Sequence, residues 1–272
     1  MKISGIEISH PDKPLFPDKG ITKADMVTYY HKISDRMLPF LKNRPLTLQR
    51  FPDGIDGEGF FQKHAQDYYP DFIERITIET EKGTSEQIIC NSQKSLIYLA
   101  NQGAISFHVW LSRKNDLHRP DKVVFDLDPS DATDFSKVKK AARIVGDELR
   151  EEGIEARLMT TGKSGLHVFY GIKKADNFDE VRKATHKMAE KLVDRHPELL
   201  TLEMRKSKRG KKVFLDYLRN AYGQTAICPF SLRPTPKAGV ATPVEWGELN
   251  KLEGGDHYHY GNIFRRLGAK AS

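Results

Sequence analysis

Two acids stand at alternate positions in the β-forming segment Lys122-Val123-Val124-Phe125-Asp126-Leu127-Asp128-Pro129. Because the side chains of a strand alternate between its two faces, Asp126 and Asp128 project from one face and the apolar residues between them from the other. The apolar face would lie on a core. The pattern therefore predicts a strand over 122–128 that stops at Pro129 and carries two carboxylates ~7 Å apart.

On both sides of this segment, helix and strand patterns alternate. Helical spacing of apolar residues predicts helices over 23–41 (capped by Thr22), 92–102, 135–149 and 178–194. β-rich runs between turn residues predict strands over 46–51, 73–80, 86–90, 105–111, 156–161, 166–172 and 212–217. Residues 1–20 are turn-rich, which indicates an ordered loop or short strands. Strands mixed with several helices predict an α+β or mixed α/β fold.

The composition is that of a globular protein. Of 272 residues, 38% are hydrophobic and 30% charged, which excludes a disordered chain. No apolar run approaches the ~20 residues of a membrane span, and the first residues lack the apolar core of a signal peptide. The two cysteines are too few for a disulfide framework or a thiolate zinc site, and Cys90 is predicted to be buried and unreactive. We expect a reducing, cytoplasmic location.

The charge distribution suggests a phosphate-bearing partner. The net charge is +7, which permits a polyanionic ligand without establishing one. Basic residues concentrate in 205–212 and acids in 126–131. An acidic cluster within a basic chain fits a protein that holds metal ions against phosphates.

A divalent-metal site is the functional interpretation of the acids. Two carboxylates on one face repel each other unless a cation lies between them, and Mg²⁺ and Mn²⁺ favour such oxygen ligands together with substrate phosphates. Asp216, at the end of the strand predicted over 212–217, is the candidate for a third ligand. Alternatively, Asp126 and Asp128 only cap the next turn and helix. An Asp-x-Asp pair also occurs in glycosyltransferases.

The turn Gly162-Lys163-Ser164-Gly165 joins two predicted strands and offers hydroxyls, a lysine and glycine amides to phosphate oxygens. Its spacing is not that of a P-loop, and an ordinary polar turn is the alternative. His167 begins the outgoing strand, where a structural role is also open. The basic run 205–212 is either a solvated loop or a set of cations held beside the metal site.

Aromatic and histidine pairs have two interpretations each. Phe60 and Phe61 could stack on a base or sugar, although an adjacent pair often places one ring in the core. His257 and His259, on one side of a predicted strand, could bind a metal, but we favour a surface location.

Short motifs recur in a fixed order along the chain. They are His10-Pro11-Asp12-Lys13, Thr22-Lys23, Arg50-Phe51-Pro52-Asp53-Gly54, Phe60-Phe61-Gln62-Lys63, His108-Val109-Trp110, Val124–Pro129, Gly162–His167, Val213–Asp216 and Ser231-Leu232-Arg233. In this order they resemble the polymerase/primase domain of the bacterial and archaeal ligase D repair system, within the archaeo-eukaryotic primase superfamily. The resemblance spans about residues 6–267.

The resemblance implies an archaeo-eukaryotic primase-like fold with a two-module core, in which central, mostly antiparallel sheets are flanked by helices. A single polymerase/primase domain would span 1–272. Its N-terminal module, 1–115, would contact the template and a DNA 5′-phosphate. Its catalytic module, 116–272, would hold the metals and the nucleotide.

The implied activity is template-directed nucleotidyl transfer at DNA ends in non-homologous end joining. Members of this family favour ribonucleotides, use manganese well and fill short gaps. The implied cofactors are two Mn²⁺ or Mg²⁺ ions, and the substrates are NTPs or dNTPs. The implied partners are double-stranded DNA ends, gapped DNA with a 5′-phosphate, a Ku-like protein and a DNA ligase, without a membrane. The location would be the nucleoid region of a prokaryotic cytoplasm.

Site residues follow from the resemblance by position. The implied metal ligands and catalytic residues are Asp126, Asp128 and Asp216. Those implied for the incoming nucleotide are His108, Thr161, Lys163, Ser164, His167, Arg209, Arg219 and Arg233. Lys13 and Lys23 match residues that grip the 5′-phosphate. Those implied for template and DNA are Arg50, Phe60, Phe61 and Lys63.

The chain departs from the family pattern in three respects. Ser164 stands where the family has Lys before the last Gly of the turn, and Lys163 precedes it, so either side chain could reach the triphosphate. Arg219 stands where the family often has Gln, which predicts a changed nucleotide contact. No ligase or nuclease segment occurs within the 272 residues. Both an excised domain and a free-standing polymerase are therefore open.

Three other functions compete with primer extension. A non-catalytic DNA-end binding module would use the acids structurally. A metal-dependent glycosyltransferase would leave the N-terminal lysines, the paired Phe and the basic loop unexplained. A primase that starts chains de novo is the nearest competitor, because it differs only in whether a primer is needed.

Overall fold

Sixteen strands and five helices form the part of the chain that the computed structural model describes, namely residues 1–80, 83–130, 134–172 and 177–268. The strands are β1 Lys2–Ile3, β2 Ile6–Glu7, β3 Pro14–Phe16, β4 Ile21–Thr22, β5 Leu46–Arg50, β6 Phe60–Gln62, β7 Glu74–Thr80, β8 Gly83–Ile89, β9 Ala104–Trp110, β10 Lys122–Pro129, β11 Arg157–Thr160, β12 Leu166–Gly171, β13 Leu200–Thr201, β14 Val213–Asp216, β15 Thr225–Ile227 and β16 Thr242–Val244. The helices are α1 Lys23–Leu41, α2 Gln93–Asn101, α3 Phe135–Glu151, α4 Phe178–Arg195 and α5 Ile263–Arg266.

Two sheets organise these elements. One has six strands in the order β13-β14-β10-β12-β11-β16, and the other has four in the order β15-β9-β5-β6. Every pairing in them is antiparallel except that of β13 with β14. The mixed α/β class with mostly antiparallel sheets is therefore confirmed.

Each sheet has its own apolar core. α1 and α2 pack with the four-stranded sheet, and α3 and α4 pack with the six-stranded sheet. The first core also takes in C-terminal residues such as Leu232 and Ile263. The division into modules 1–115 and 116–272 stays a prediction.

α1, α2 and α4 begin within one residue of their predicted starts, where a side chain caps each helix. α1 has the predicted bounds, and the Thr22 hydroxyl accepts a hydrogen bond from the Asp25 amide while the Asp25 carboxylate accepts one from the Thr22 amide. This capping box satisfies two amides of the first turn. Ser92 caps α2 in the same way, by accepting from the Ser95 amide. The predicted hairpin forms as β7 and β8.

The central position of β10 places the candidate acids. β10 lies between β14 and β12, so that Asp126 is directly opposite Asp216 on one neighbour and His167 on the other. The intervening Phe125 and Leu127 are fully buried against α3 and α4. Their burial fixes the orientation of the strand and therefore the face on which the acids project.

Cys90 and Cys228 are fully buried, as predicted for Cys90. Burial raises the pKa of the Cys90 thiol well above its ordinary value and that of Cys228 to about 12. Both thiols are therefore protonated at neutral pH. Separately, no helix in the described part of the chain is long and apolar enough to cross a membrane.

Candidate active site

Three aspartates meet on one face of the six-stranded sheet. Asp126 pairs with Asp216 across β10 and β14, and Asp128 follows two residues later on the same face. Asp126 and Asp216 are 8% and 6% exposed. The juxtaposition of the three acids that the sequence predicts is therefore present.

Two cationic or ionisable side chains contact these carboxylates. Arg219 Nε lies 3.2 Å from Asp216 Oδ2 and 3.5 Å from Asp126 Oδ2. His167 Nε2 lies 3.3 Å from Asp126 Oδ1, an ion-pair distance, while Asp126 Oδ1 is buried and accepts no hydrogen bond from the described residues. The backbone amide of Leu218 donates to Asp216 Oδ1 at 2.8 Å.

The acids have different pKa values because they share a buried site. Burial raises the pKa of Asp126, but the charges of His167 and Arg219 outweigh it and bring that pKa below its ordinary value. Burial, with repulsion from Asp126, raises the pKa of Asp128 to about 6. Burial also raises the pKa of Asp216. Burial therefore disfavours the ionised forms of Asp128 and Asp216, and further positive charge in the site would favour them.

Asp126 and Asp128 line a cavity of about 240 Å³ between the two sheets, and Asp216 lies directly opposite Asp126 on the neighbouring strand. Nine residues expected from the sequence line it together: His108, Asp126, Asp128, Thr161, Lys163, Ser164, His167, Arg219 and Arg233. Thr225, Ala226 and Ile227 of β15 complete the wall. The cavity thus combines acids on one strand with cations from three separate loops.

Three buried polar atoms in this cavity have no hydrogen-bond partner in the described part of the chain: His108 Nε2, Asp126 Oδ1 and Arg233 Nε. Burial lowers the pKa of His108 well below its ordinary value, and Arg233 adds to this, so the imidazole is neutral. An unsatisfied buried polar group costs about 1–3 kcal/mol. Their convergence indicates that the cavity is built for a polar ligand.

The donor set fits divalent metal ions, because three carboxylates are hard oxygen ligands and Asp126 Oδ1 is free to bind. As the side chains stand, however, no three His, Cys, Asp or Glu side chains of the described residues are grouped closely enough to hold a metal. Arg219 lies between Asp126 and Asp216 in this arrangement. The three carboxylates predicted as ligands are present, and Arg219 contacts two of them.

The turn between β11 and β12 is organised from within. The Thr161 hydroxyl donates to the Gly165 carbonyl at 3.1 Å and accepts from the Gly165 amide at 3.2 Å. Gly162 adopts φ +71°, which favours glycine, and its amide donates to the Gly255 carbonyl at 2.8 Å. Both Lys163 and Ser164 line the cavity, so the structure leaves both available to a triphosphate.

Sequence reasoning missed Gly239 and Gly255, which press on this turn from the C-terminal segment. A Cβ on Gly239 would lie 2.1 Å from the Gly162 carbonyl oxygen, and one on Gly255 would lie 2.6 Å from the Gly165 amide nitrogen. Only glycine permits such close backbone approach. No local pattern around either position indicates the contact, because their partners are about 75 to 90 residues away in sequence.

Arg209 is held outside the cavity. Its Nε donates to the Glu203 carbonyl at 2.8 Å, and its Nη2 to the Met204 carbonyl at 2.7 Å. Its guanidinium stacks 4.2 Å from the centroid of Phe214, the residue opposite Asp128. With the loop in this conformation, Arg209 therefore lies near the acids but does not line the cavity.

The N-terminal lysines lie together with a third cation. Lys23 is 8% exposed, and its Nζ donates to the Ser9 hydroxyl at 2.8 Å. Burial lowers the pKa of Lys23 to about 8, with smaller effects from Lys13 and Arg50. Lys13 Nζ lies 2.5 Å from Asp53. The cluster holds three cations against one carboxylate and is suited to an anion.

The paired phenylalanines of β6 are both exposed, Phe60 at 45% and Phe61 at 62%, so the alternative that one ring lies in the core is wrong. Phe61 meets the His108 ring edge-on at 5.9 Å. Arg50 lies 5.4 Å over the Phe60 ring. Lys63 is also exposed. Tyr68, which the sequence did not single out, is a further exposed aromatic residue at 62%.

His257 and His259 show no metal site. They are partly exposed and lie outside any strand: His257 is in a bend, and His259 forms an isolated antiparallel bridge with Gly239, while its ring accepts a hydrogen bond from the Gly261 amide at 3.2 Å.

Comparison with known proteins places this site in a family. A model of the LigD primase-polymerase domain matches residues 22–272. The bifunctional non-homologous end joining protein LigD of Bacillus subtilis is 36% identical over 245 residues, which are 90% of this chain and 39% of that protein. The multifunctional LigD protein of Mycolicibacterium smegmatis is 32% identical over 264 residues, which are 96% of this chain and 34% of that protein. The chain spans only about a third to two fifths of these relatives.

A solved structure agrees with the fold over almost the whole chain. The polymerase domain of Mycobacterium tuberculosis ligase D in complex with DNA superposes with a TM-score of 0.89 at 29% identity, covering 97% of this chain and 94% of that one. The chain therefore belongs to the family of LigD primase-polymerase domains, which are template-dependent nucleotidyltransferases.

Proposed function

We propose that this chain extends primers across short gaps and at broken DNA ends in non-homologous end joining, with a preference for ribonucleotides. One observation carries the proposal: Asp126 and Asp128 share a 240 Å³ cavity with Lys163, Arg233 and the turn residues Thr161 and Ser164, and Asp216 lies directly opposite Asp126 on the neighbouring strand. Such a cavity offers ligands for divalent cations next to donors for a triphosphate.

In this account Asp126, Asp128 and Asp216 hold two Mn²⁺ or Mg²⁺ ions. When bound, such ions activate a 3′-hydroxyl and stabilise the charge that develops on a leaving pyrophosphate. Lys163 and Arg233 balance the charge of the triphosphate, and Ser164 and the turn amides donate to its oxygens. His108, held neutral by its burial, contacts the nucleotide as a hydrogen-bonding group. His167 orients Asp126, and Arg209 approaches the nucleotide only if its loop moves.

DNA would run over the exposed surface beside the cavity. Phe60 and Phe61 are placed to stack on bases, and the contact of Phe61 with His108 joins this surface to the nucleotide cavity. Arg50 and Lys63 would contact the template strand. The Lys13–Lys23 cluster would bind the 5′-phosphate on the far side of a gap. The structural relative is in complex with DNA, which supports this assignment.

The wider setting is proposed from the relatives. They are named as non-homologous end joining proteins, and this chain covers only part of their length. A Ku-like end-binding protein and a DNA ligase, in the nucleoid region of a prokaryotic cell, are the expected partners. The modules 1–115 and 116–272 would divide the DNA and nucleotide contacts between them.

The proposal is tested by extension of a primer on a gapped duplex, with Mn²⁺ or Mg²⁺ and with NTPs or dNTPs in parallel. We expect templated addition that requires the metal and is faster with NTPs. Tight DNA binding without incorporation under either metal would contradict the proposal and leave an end-binding module. Chain initiation without a primer would instead identify a primase.

Exchange of both Lys13 and Lys23 for alanine is expected to remove the preference for a 5′-phosphorylated gap, a loss of about tenfold in relative affinity, because the phosphate loses charge-assisted contacts. Since the pKa of Lys23 is about 8, the wild-type preference should be complete at pH 7 and decline as the pH rises through about 8, where the ammonium loses its proton.

Fluorescence anisotropy on paired gaps with a 5′-phosphate or a 5′-hydroxyl measures this preference. Lys187→Ala, which removes an exposed lysine of α4, is the matched control and should leave it unchanged. If the double variant prefers the 5′-phosphorylated gap over the 5′-hydroxyl gap as strongly as the wild type does, the 5′-phosphate binds elsewhere.

A further inference from the structure

Arg219 occupies the space between two of the three candidate metal ligands. Its Nε lies 3.2 Å from Asp216 Oδ2 and 3.5 Å from Asp126 Oδ2, so a single nitrogen contacts both carboxylates. Its side chain is 37% exposed, whereas those of the two acids are 11% or less. The guanidinium therefore reaches the buried pair from the solvent side.

The backbone that carries Arg219 is fixed. Asn220 is fully buried, and its side chain accepts from the Val124 amide at 2.9 Å and donates to the Val124 carbonyl at 2.8 Å. On the other side, the Leu218 amide donates to Asp216 Oδ1. The turn is thus tied to β10 and β14 at both neighbours of Arg219. Within the described part of the chain, the polar contacts of the Arg219 side chain are its ion pairs with the two acids, so a change in those pairs would let the side chain move while the backbone stays in place.

Charge balance explains why the guanidinium lies there. Three carboxylates on one face repel each other, and a cation between two of them offsets that repulsion. A divalent cation bound to Asp126 and Asp216 would serve the same purpose. Because like charges repel, a divalent cation at these two carboxylates and the Arg219 guanidinium beside them would destabilise each other. In this arrangement the described residues form no group of three ligands that could hold a metal.

We propose that Arg219 is the resident counter-ion of the metal-free site, that it competes with divalent cations for Asp126 and Asp216, and that metal loading displaces it. The inference rests on the proposed function, in which these acids bind metal. Arg219 lines the same cavity as Lys163 and Arg233. After displacement, the Arg219 guanidinium would stay in this cavity beside the phosphates of the nucleotide. It would then pair with the substrate and no longer with the two acids.

The competition predicts that Arg219→Gln binds Mn²⁺ about tenfold more tightly than the wild type in the absence of DNA and nucleotide, a size usual for coupling between two ligands. The same variant should melt several degrees lower in EDTA, because the acids lose their counter-ion, and regain that stability with Mn²⁺. Arg219→Lys retains the charge and should bind Mn²⁺ within about threefold of the wild type.

Electron paramagnetic resonance of free Mn²⁺ measures these affinities, with Arg150→Gln as control because Arg150 is an exposed arginine that pairs with Asp147 on α3. Equal or weaker Mn²⁺ binding by Arg219→Gln would overturn the inference. Asp126→Ala separates this result from failure of the proposed metal site: if Asp126→Ala binds Mn²⁺ as the wild type does, the acids are not the ligands and both proposals fall.

If Arg219→Gln does not fold, nuclear magnetic resonance of the wild-type protein tests the displacement of Arg219 directly. The Nε–H resonance of Arg219, assigned by its absence in Arg219→Lys, should be protected from exchange in EDTA and lose that protection as Mg²⁺ is added. A resonance that is unaffected by saturating Mg²⁺ would contradict displacement.

Discussion

Replacement of Asp126 or Asp128 by alanine is expected to lower templated primer extension by about 1,000-fold or more, corresponding to ~4 kcal/mol of lost transition-state stabilisation. Each carboxylate is held on the cavity face by an apolar strand whose other face is buried, so the substitution removes the ligand without disturbing the core. The affinity for gapped DNA should change by less than about threefold, because the DNA contacts lie on other elements.

Single-turnover extension and anisotropy on the same gapped duplex separate the two effects. Asp126→Asn keeps the shape and removes the charge, and it should be nearly as inactive as the alanine variant. Asp194→Ala, at an exposed position of α4, is the matched acidic control and should extend like the wild type. Extension by Asp126→Ala within about tenfold of the wild-type rate would exclude the acids from catalysis.

Gly239→Ala and Gly255→Ala are expected to have the second largest effect, although neither residue lines the cavity. The added methyl group would stand 2.1 Å from the Gly162 oxygen or 2.6 Å from the Gly165 nitrogen, and these backbone atoms cannot rotate away. The turn must shift, and a misplacement of about 1 Å can cost roughly 100-fold in kcat/KM for the nucleotide. Overpacking of this kind also costs about 1–3 kcal/mol of stability.

Nucleotide titrations in the extension assay and thermal melts test this expectation. Gly247→Ala is the control, because its added methyl group would meet nothing within 4 Å, and its stability should stay within about 0.5 kcal/mol of the wild type. If Gly239→Ala keeps both the KM for nucleotide and the melting temperature of the wild type, the turn does not depend on this contact.

The elements that the sequence predicts well are those with a strong local signal. The helix over 23–41 has apolar residues at helical spacing and a capping box, and α1 has the same bounds. The face shared by Asp126 and Asp128 follows from strand alternation alone. By contrast, β13, β15 and β16 have only two or three residues each. A strand this short shows no alternation of apolar and polar residues, and the sequence does not predict these three.

The predictions for the site are limited by contacts between distant segments. The resemblance placed Arg209 at the nucleotide, but the carbonyls of Glu203 and Met204 hold its guanidinium away from the cavity in this structure. A nucleotide contact by Arg219 stays a prediction, and sequence spacing did not indicate its ion pairs with Asp126 and Asp216. Sequence spacing indicates which residues share a strand or turn, and it does not indicate which buried charge a flexible side chain will pair with.

The central claim is that Asp126, Asp128 and Asp216 hold divalent metal against the triphosphate of an incoming nucleotide. Anomalous diffraction from crystals grown with Mn²⁺ and a non-hydrolysable NTP tests it most directly. The account predicts manganese peaks ligated by these three carboxylates, with the triphosphate against the Thr161–Gly165 turn and Arg219 released from the acids. A nucleotide bound elsewhere, or manganese absent from the three aspartates while the nucleotide is bound, would contradict it.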